Sequence, residues 1–194
     1  MLVSNIRKNG KPIGSLPDGE MQFHSDGAHR DIPYAATSLY AIKVPSRGGQ
    51  TLFSNLATAY DALDDNAKKR IEGLRVRNIY GYDDTFREQT TEADESTSSA
   101  ATHYLVKKHP ITGRKSLYLS RLMTRFIVDM DRNESDKLLE MLFNHSEKKE
   151  FIYAHNWTVN DLLIWDNRCL NHARTDFPSE EERLLRRFTI TEWH

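Results

Sequence analysis

The chain lacks most of the features that tie a protein to export, membranes or nucleic acid. It has one cysteine, Cys169, in 194 residues, so no internal disulfide can form and an oxidising destination is not implied. No apolar run approaches the ~20 residues of a membrane-spanning helix. Residues Met1 to Gly14 mix Asn, Lys, Arg and Gly with isolated apolar side chains and have no signal-peptide core. Surplus charge is missing as well. The 27 Lys and Arg and 28 Asp and Glu leave a net charge of −1, which offers no electrostatic case for nucleic acid or an anionic membrane. Internal repeats are absent. The apolar fraction of 38% is ordinary for a globular protein of a length that buries a real core. These absences leave one soluble, cytoplasmic domain over 1–194 as the expectation, with a homo-oligomer left open.

What is present is a succession of short alternating segments. Glu20 to His24 reads as a strand, Ala36 to Val44 as a buried strand, and Pro45-Ser46-Arg47-Gly48-Gly49 as a strong turn before Gln50 to Phe53. A helix is expected from about Asn55, and a second over Ala67 to Glu72, capped by Asp64-Asp65 and closed by Gly73. Leu74 to Tyr80 alternates again. Over 83–99 the apolar content collapses to Phe86 and Ala93, which predicts a loop or lid. Thr102 to Lys108 and Ser116 to Leu119 flank a hairpin turn. Asn133 to Ser146 is the most amphipathic helix, with Asn133 and Asp136 resembling a capping box. Phe151–Trp157, Leu162–Trp165 and Leu184–Trp193 complete the strands. The fold class is mainly β with flanking helices, a sandwich or barrel of jelly-roll type.

The chemistry centres on Phe23-His24-Ser25-Asp26-Gly27. On an extended strand His24 and Asp26 share a face, so an imidazole and a carboxylate can take adjacent positions around a metal. Alone the pair is a weak signal. Of the other histidines, His145 is expected to be solvated on its helix and His109, before Pro110, to be structural. His172 follows an apolar strand and the polar group Asp166-Asn167-Arg168, where a jelly roll brings late strands beside early ones. Two histidines and a carboxylate on three corners of an octahedron leave three positions open, the facial arrangement of non-haem Fe(II) oxygenases. Arg183 and Arg187, four apart, can face the same side, with Arg186 turned away. Paired arginines suit a dicarboxylate held in bidentate fashion; the alternative is a solvated basic strand edge.

These motifs together resemble the Fe(II)/2-oxoglutarate-dependent dioxygenases of the taurine dioxygenase (TauD/TfdA) type. The resemblance runs through Phe23-His24-Ser25-Asp26, Val44-Pro45 and Gly48 to Phe53, Ala59 to Leu63, His109-Pro110 with Thr112 to Lys115, Leu117-Tyr118, Trp165 to Arg168 ahead of His172, and Arg183 with Arg187. It implies a double-stranded β-helix, a cupin-like jelly roll. It implies His24, Asp26 and His172 as Fe(II) ligands and catalytic centre, and Thr51 and Arg183 as holders of 2-oxoglutarate. Arg187 would lie near the co-substrate or an acidic group of the substrate. O2 would then hydroxylate a small organic substrate, with a lean towards anions from Arg187, Arg30 and His29, and with His103 and the 83–99 loop closing over the site. Asp26 argues against the related halogenases, which lack that carboxylate. Activity is expected to fall below roughly pH 6 as ligand imidazoles protonate. Only 23 residues precede His24, fewer than the family usually carries, which makes a fragment, a mis-started gene or a minimal version the three expectations. Two rivals remain at this stage. One is a catalytically impaired jelly roll or metal-binding non-enzyme. The other is a zinc hydrolase, disfavoured because no glutamate is obviously placed as its base.

Overall fold

Period-two alternation builds two four-stranded antiparallel sheets whose inner faces enclose the site. The computed structural model describes residues 1–15, 19–80 and 99–191, so all of the 83–99 segment except Ser99 lies outside the described residues. The first sheet has the order β1 (Leu2–Ser4), β15 (Leu184–Thr191), β5 (Tyr34–Lys43), β13 (Leu162–Asp166). The second has the order β12 (Ile152–His155), β6 (Thr51–Asn55), β14 (Leu170–Arg174), β4 (Met21–His24). Chain neighbours in space are remote in sequence, as in a jelly roll. A small hairpin, β2 (Arg7–Lys8) with β3 (Lys11–Pro12), decorates the start.

In β13 and β15 of the first sheet only one face is buried. Leu39, Ala41, Trp165 and Leu185 point inward, whereas Leu162, Ile164, Phe188 and Ile190 are 41–64% exposed on the other side. Ala36–Val44, read as a buried strand, is buried or half-buried at every position but Lys43, whereas Leu162–Asp166 exposes alternate residues, because a sheet whose outer face is uncovered needs only every second residue to be apolar.

The largest apolar cluster lies outside the sandwich, beneath the helices. It gathers Leu56 and Ala59 of α1 (Leu56–Asp61), Ile71 of α2 (Asp65–Ile71), Val76 of β7 (Arg75–Ile79) and Leu138, Leu139, Leu142 and Phe143 of a third helix, α3 (Arg132–Ser146). The α1 and α2 caps are Asn55 and Asp64, whose side chains accept from Thr58 N and Ala67 N. The α3 cap differs from expectation. Asp131, two residues earlier than the proposed box, accepts from Asn133 N and Glu134 N at 3.0 and 3.2 Å.

The stretch expected as a single strand from Thr102 to Lys108 is two strands in different sheets. β8 (Ala100–Tyr104) joins β7 and β11 (Thr124–Ile127), and β9 (Val106–Lys108) pairs with β10 (Lys115–Leu117) in the anticipated hairpin. Leu105 between them is fully buried, its N–H donating to Leu74 O at 2.8 Å. Between the two main sheets the apolar cluster is small: Val3, Leu39, Phe53, Trp165 and Leu185. The remaining interior is polar.

Leu139 is fully buried in the helix-side cluster. Leu139→Ala is expected to lower unfolding stability by about 2–5 kcal/mol, read as a shift in the urea midpoint, through lost transfer energy and a residual cavity.

Candidate active site

β14 and β4 are antiparallel neighbours, and their register sets His172 directly opposite His24. The two rings tilt against each other with centroids 4.1 Å apart. Asp26 arrives differently from the expectation of one extended strand. β4 ends at His24, and a turn over Ser25–Gly27 swings the carboxylate in. Gly27 has φ +77°, and a Cβ there would lie 2.9 Å from the Tyr34 ring, so the turn depends on glycine. His24 Nε2 lies 3.8 Å from Asp26 Oδ1, and His172 Nε2 lies 3.8 Å from Oδ2. One ligand atom from each residue falls within 4.8 Å of the others, close enough to hold a single metal ion.

The donor set is in the right chemical state. His24 Nδ1 lies 2.9 Å from Gln22 O. A carbonyl only accepts, so Nδ1 carries the proton and Nε2 turns its lone pair to the site, the arrangement by which metal-ligating histidines are oriented. Burial pushes both imidazoles below their usual range, His172 to about 3, so they remain neutral. Burial alone would raise Asp26, but the Arg187 guanidinium and the Thr37 hydroxyl favour its charge and hold it below the usual carboxylate range. Arg187 Nη2 contacts Asp26 Oδ1 at 2.7 Å, and Thr37 Oγ1 donates to Oδ2 at 2.6 Å.

Beside the triad lies a basic slot. Arg183 immediately precedes β15 and shares the inward face of Leu185 and Arg187, while Arg186 is exposed as expected. Arg183 is only 2% exposed, and its Nε has no hydrogen-bond partner among the described residues. Burial and the neighbouring Arg174 bring its guanidinium down to about 9. Its nearest polar contact is Nη2 to Gly49 O at 3.4 Å. Gly49, at φ +62°, leaves room: a Cβ there would lie 3.2 Å from Arg183 Nε. A charge this deeply buried calls for an anion. The same cavity is lined by Thr51, His24, His172, Arg174 and Arg187. Thr51 Oγ1 accepts from Trp157 Nε1 at 3.0 Å.

Other expected residues sort clearly. His109 is structural: its Nδ1 accepts from Ile111 N and Thr112 N, so Nε2 carries the proton and donates to Asp166 Oδ2 at 2.9 Å. That proton also bars metal binding by the nearby His109, Asp166 and Cys169 group. His145 is not solvated; it is half-buried, with Nε2 2.8 Å from Ala59 O, because its ring packs on Phe151. His103 does not cover the site. It is buried against Tyr118 with Nε2 2.9 Å from Arg30 O, where it braces the loop after Asp26. His29 packs at a tilt against Tyr80, and Arg30 lies over the Tyr34 ring.

Four site residues were not assigned from sequence: Thr37, Trp165, Asn167 and Arg174. Arg174 was findable, since it follows His172 by two on the same strand face. Trp165 and Asn167 stand in a motif with no local sign of their role, and Thr37 is an unremarkable strand residue.

The sequence pattern of the "Taurine catabolism dioxygenase TauD, TfdA family" matches residues 1–189. The chain is 34% identical to pentalenolactone F synthase of Streptomyces arenae over 202 residues, covering 96% of this chain and 67% of that protein. It is 33% identical to the (S)-phenoxypropionate/alpha-ketoglutarate-dioxygenase of Sphingobium herbicidovorans over 208 residues, covering 99% and 70%. The crystal structure of AAD-2 in complex with Mn(II) and N-oxalylglycine superposes with a TM-score of 0.79 at 35% identity, over 89% of this chain and 68% of that one. A taurine dioxygenase from Burkholderia xenovorans gives a TM-score of 0.76 at 30% identity, over 88% and 56%. The chain thus spans about two thirds of the length of both of these curated relatives. Jelly roll, buried His-Asp-His cluster and family pattern agree, and the chain belongs to the TauD/TfdA family of alpha-ketoglutarate-dependent dioxygenases.

Proposed function

We propose that His24, Asp26 and His172 bind Fe(II), that Arg183 and Thr51 hold the distal carboxylate of 2-oxoglutarate, and that the chain hydroxylates a small organic acid. The observation that carries this reading is Arg183, a guanidinium 2% exposed that opens on the same cavity as His24 and His172. Among the described residues no carboxylate pairs with it. A dicarboxylate supplies that missing charge at one end and reaches the metal at the other. Fe(II) with 2-oxoglutarate and O2 supplies an oxidant that inserts one oxygen atom into a C–H bond and one into succinate, with release of CO2.

The protein's own contributions are positional and electrostatic. The Gln22 carbonyl fixes the His24 tautomer. Thr37 and Arg187 hold Asp26 ionised. Trp165, in contact with His172 at 4.7 Å between centroids, excludes water from one side. Arg187, which contacts Asp26 and lines the slot, would add charge compensation for a carboxylate of the co-substrate.

For the substrate, the relatives named for phenoxypropionate, 2,4-dichlorophenoxyacetate and sulfonate act on organic acids, which supports an anionic substrate here. A zinc hydrolase is disfavoured by the cavity itself: among the described residues its lining holds arginines and no glutamate placed as a base. No helix among the described residues is long and apolar enough to cross a membrane. A single half-buried thiol, Cys169, suits a reducing compartment such as the cytoplasm.

Three outcomes test the reading. Asp26→Ala should abolish Mn(II) binding and substrate-dependent succinate release together; unchanged turnover would remove Asp26 from the ligand set. Arg183→Met should raise the KM for 2-oxoglutarate by roughly 30-fold or more, the loss of a buried charge pair costing ~2–5 kcal/mol. Exposed Arg186→Met is the control and should leave it unchanged.

The third outcome concerns acid. His24 and His172 have folded-state values below the unfolded value of 6.5. Below 6.5 the unfolded chain takes up protons that the folded chain refuses, so metal-free stability falls as pH drops. The slope approaches about 1.4 kcal/mol per pH unit for each histidine, and for His172 it continues to a pH of about 3. Urea midpoints of the metal-free chain between neutral and mildly acid pH measure it. The acid limit near pH 6 expected of free imidazoles moves lower for the folded site, because burial keeps both rings neutral.

A further inference from the structure

Trp165 and Thr37 are cross-strand partners on β13 and β5, and Asn167 follows two residues after Trp165. The three are buried at 5%, 0% and 1% exposure. Trp165 Nε1 donates to Asn167 Oδ1 at 3.0 Å, Asn167 Nδ2 donates to Thr37 Oγ1 at 2.9 Å, and Thr37 Oγ1 donates to Asp26 Oδ2 at 2.6 Å.

The direction of this chain is forced from its far end. An indole N–H can only donate, so the Asn167 atom that meets it must be the carbonyl oxygen. The amide NH2 then faces Thr37 and occupies a hydroxyl lone pair. Thr37 has a single proton, and Asp26 receives it. Without the indole N–H the Asn167 amide is free to rotate, present its oxygen to Thr37, and draw the hydroxyl proton away from the carboxylate.

The frame holding this chain is stiff. Asn167 N donates to Ala35 O at 2.9 Å, and Ser25 Oγ donates to Asn167 O at 2.7 Å, which ties the turn to both sides of Asp26. One residue on, Arg168 Nε and Nη2 bind Asp166 at 2.8 and 2.6 Å, and His109 holds the same carboxylate. Trp165 also tilts against His172, so one side chain touches one proposed ligand with its ring and governs another through its N–H.

We infer that Trp165, Asn167 and Thr37 form a polarised hydrogen-bond relay that sets the orientation of the Asp26 carboxylate and thereby the affinity of the site for its metal. These are positioning residues; the inference rests on the reading of Asp26 as a ligand.

Mn(II) binding to the full chain, followed by loss of the free-ion EPR signal without co-substrate, tests it. Thermal unfolding of each variant serves as the folding control. Thr37→Val keeps the β-branched shape and removes the proton; Mn(II) affinity should drop by about 10- to 100-fold, as for lost outer-shell partners elsewhere. Thr37→Ser should restore affinity close to the parent. Trp165→Phe keeps an aromatic ring against His172 and removes the N–H together with part of the indole, whose packing cost the thermal unfolding control reads; it should weaken Mn(II) binding on its own yet add nothing in the Thr37→Val background, since both act on one bond. If Thr37→Val fails to fold, Trp165→Phe and Thr37→Ser still decide the matter. Parent-like affinity in Thr37→Val or Trp165→Phe, or fully additive losses in the double variant, would overturn the relay while leaving the triad standing. A parent chain that binds no Mn(II) would overturn the triad reading and the relay with it.

Discussion

A carboxylate cannot stay ionised between two β-sheets unless its oxygens meet donors or positive charge, and Asp26 is where this requirement organises the molecule. At 3% exposure it lies between two neutral imidazoles, and Thr37 and Arg187 keep it charged. Each of those partners comes from a different strand. β5 supplies Thr37, β15 supplies Arg187, β14 supplies His172 and β4 supplies His24. Satisfying one side chain therefore constrains the register of both sheets at once.

The same constraint explains where the apolar core sits. A jelly roll ordinarily fills the space between its sheets, but here that space is given to imidazoles, guanidiniums and hydroxyls. Apolar burial concentrates instead under α1, α2 and α3, around Leu56, Ile71, Leu139 and Phe143. Stability and chemistry are thus largely separated: the helix-side cluster secures the fold, and the sandwich interior tolerates Arg183 and Asp26, which cost free energy until compensated. Polar residues at inward positions of β5 and β15 are the structural mark of that division.

Legibility in the sequence followed the range of the interaction. Helices α1 and α2 and the β9–β10 hairpin were readable because caps, glycine turns and apolar spacing are local. The α3 cap was misplaced by two residues because Asp131 and Asn133 are both competent caps, and the choice depends on how the helix seats on the core. Leu162–Trp165 reads as an apolar strand, and composition could not show that Leu162 and Ile164 face outward. His145 and His103 were misjudged for a related reason: each meets a backbone carbonyl, of Ala59 and Arg30, that folding brings from far along the chain.

By itself the sequence determined the chemical vocabulary: a His-x-Asp pair, a later histidine, two arginines four apart, and the turn glycines that let them approach. Side-chain type and short-range spacing are enough for that. Tertiary structure decided the grammar. It placed His172 opposite His24, brought Asp26 in by a turn rather than along a strand, and buried Arg183 with no acid paired to it among the described residues. It also set the one-way run of hydrogen bonds from Trp165 to Asp26. Hydrogen-bond polarity and buried charge depend on partners delivered by other strands, and antiparallel pairing across the whole chain is what delivers them.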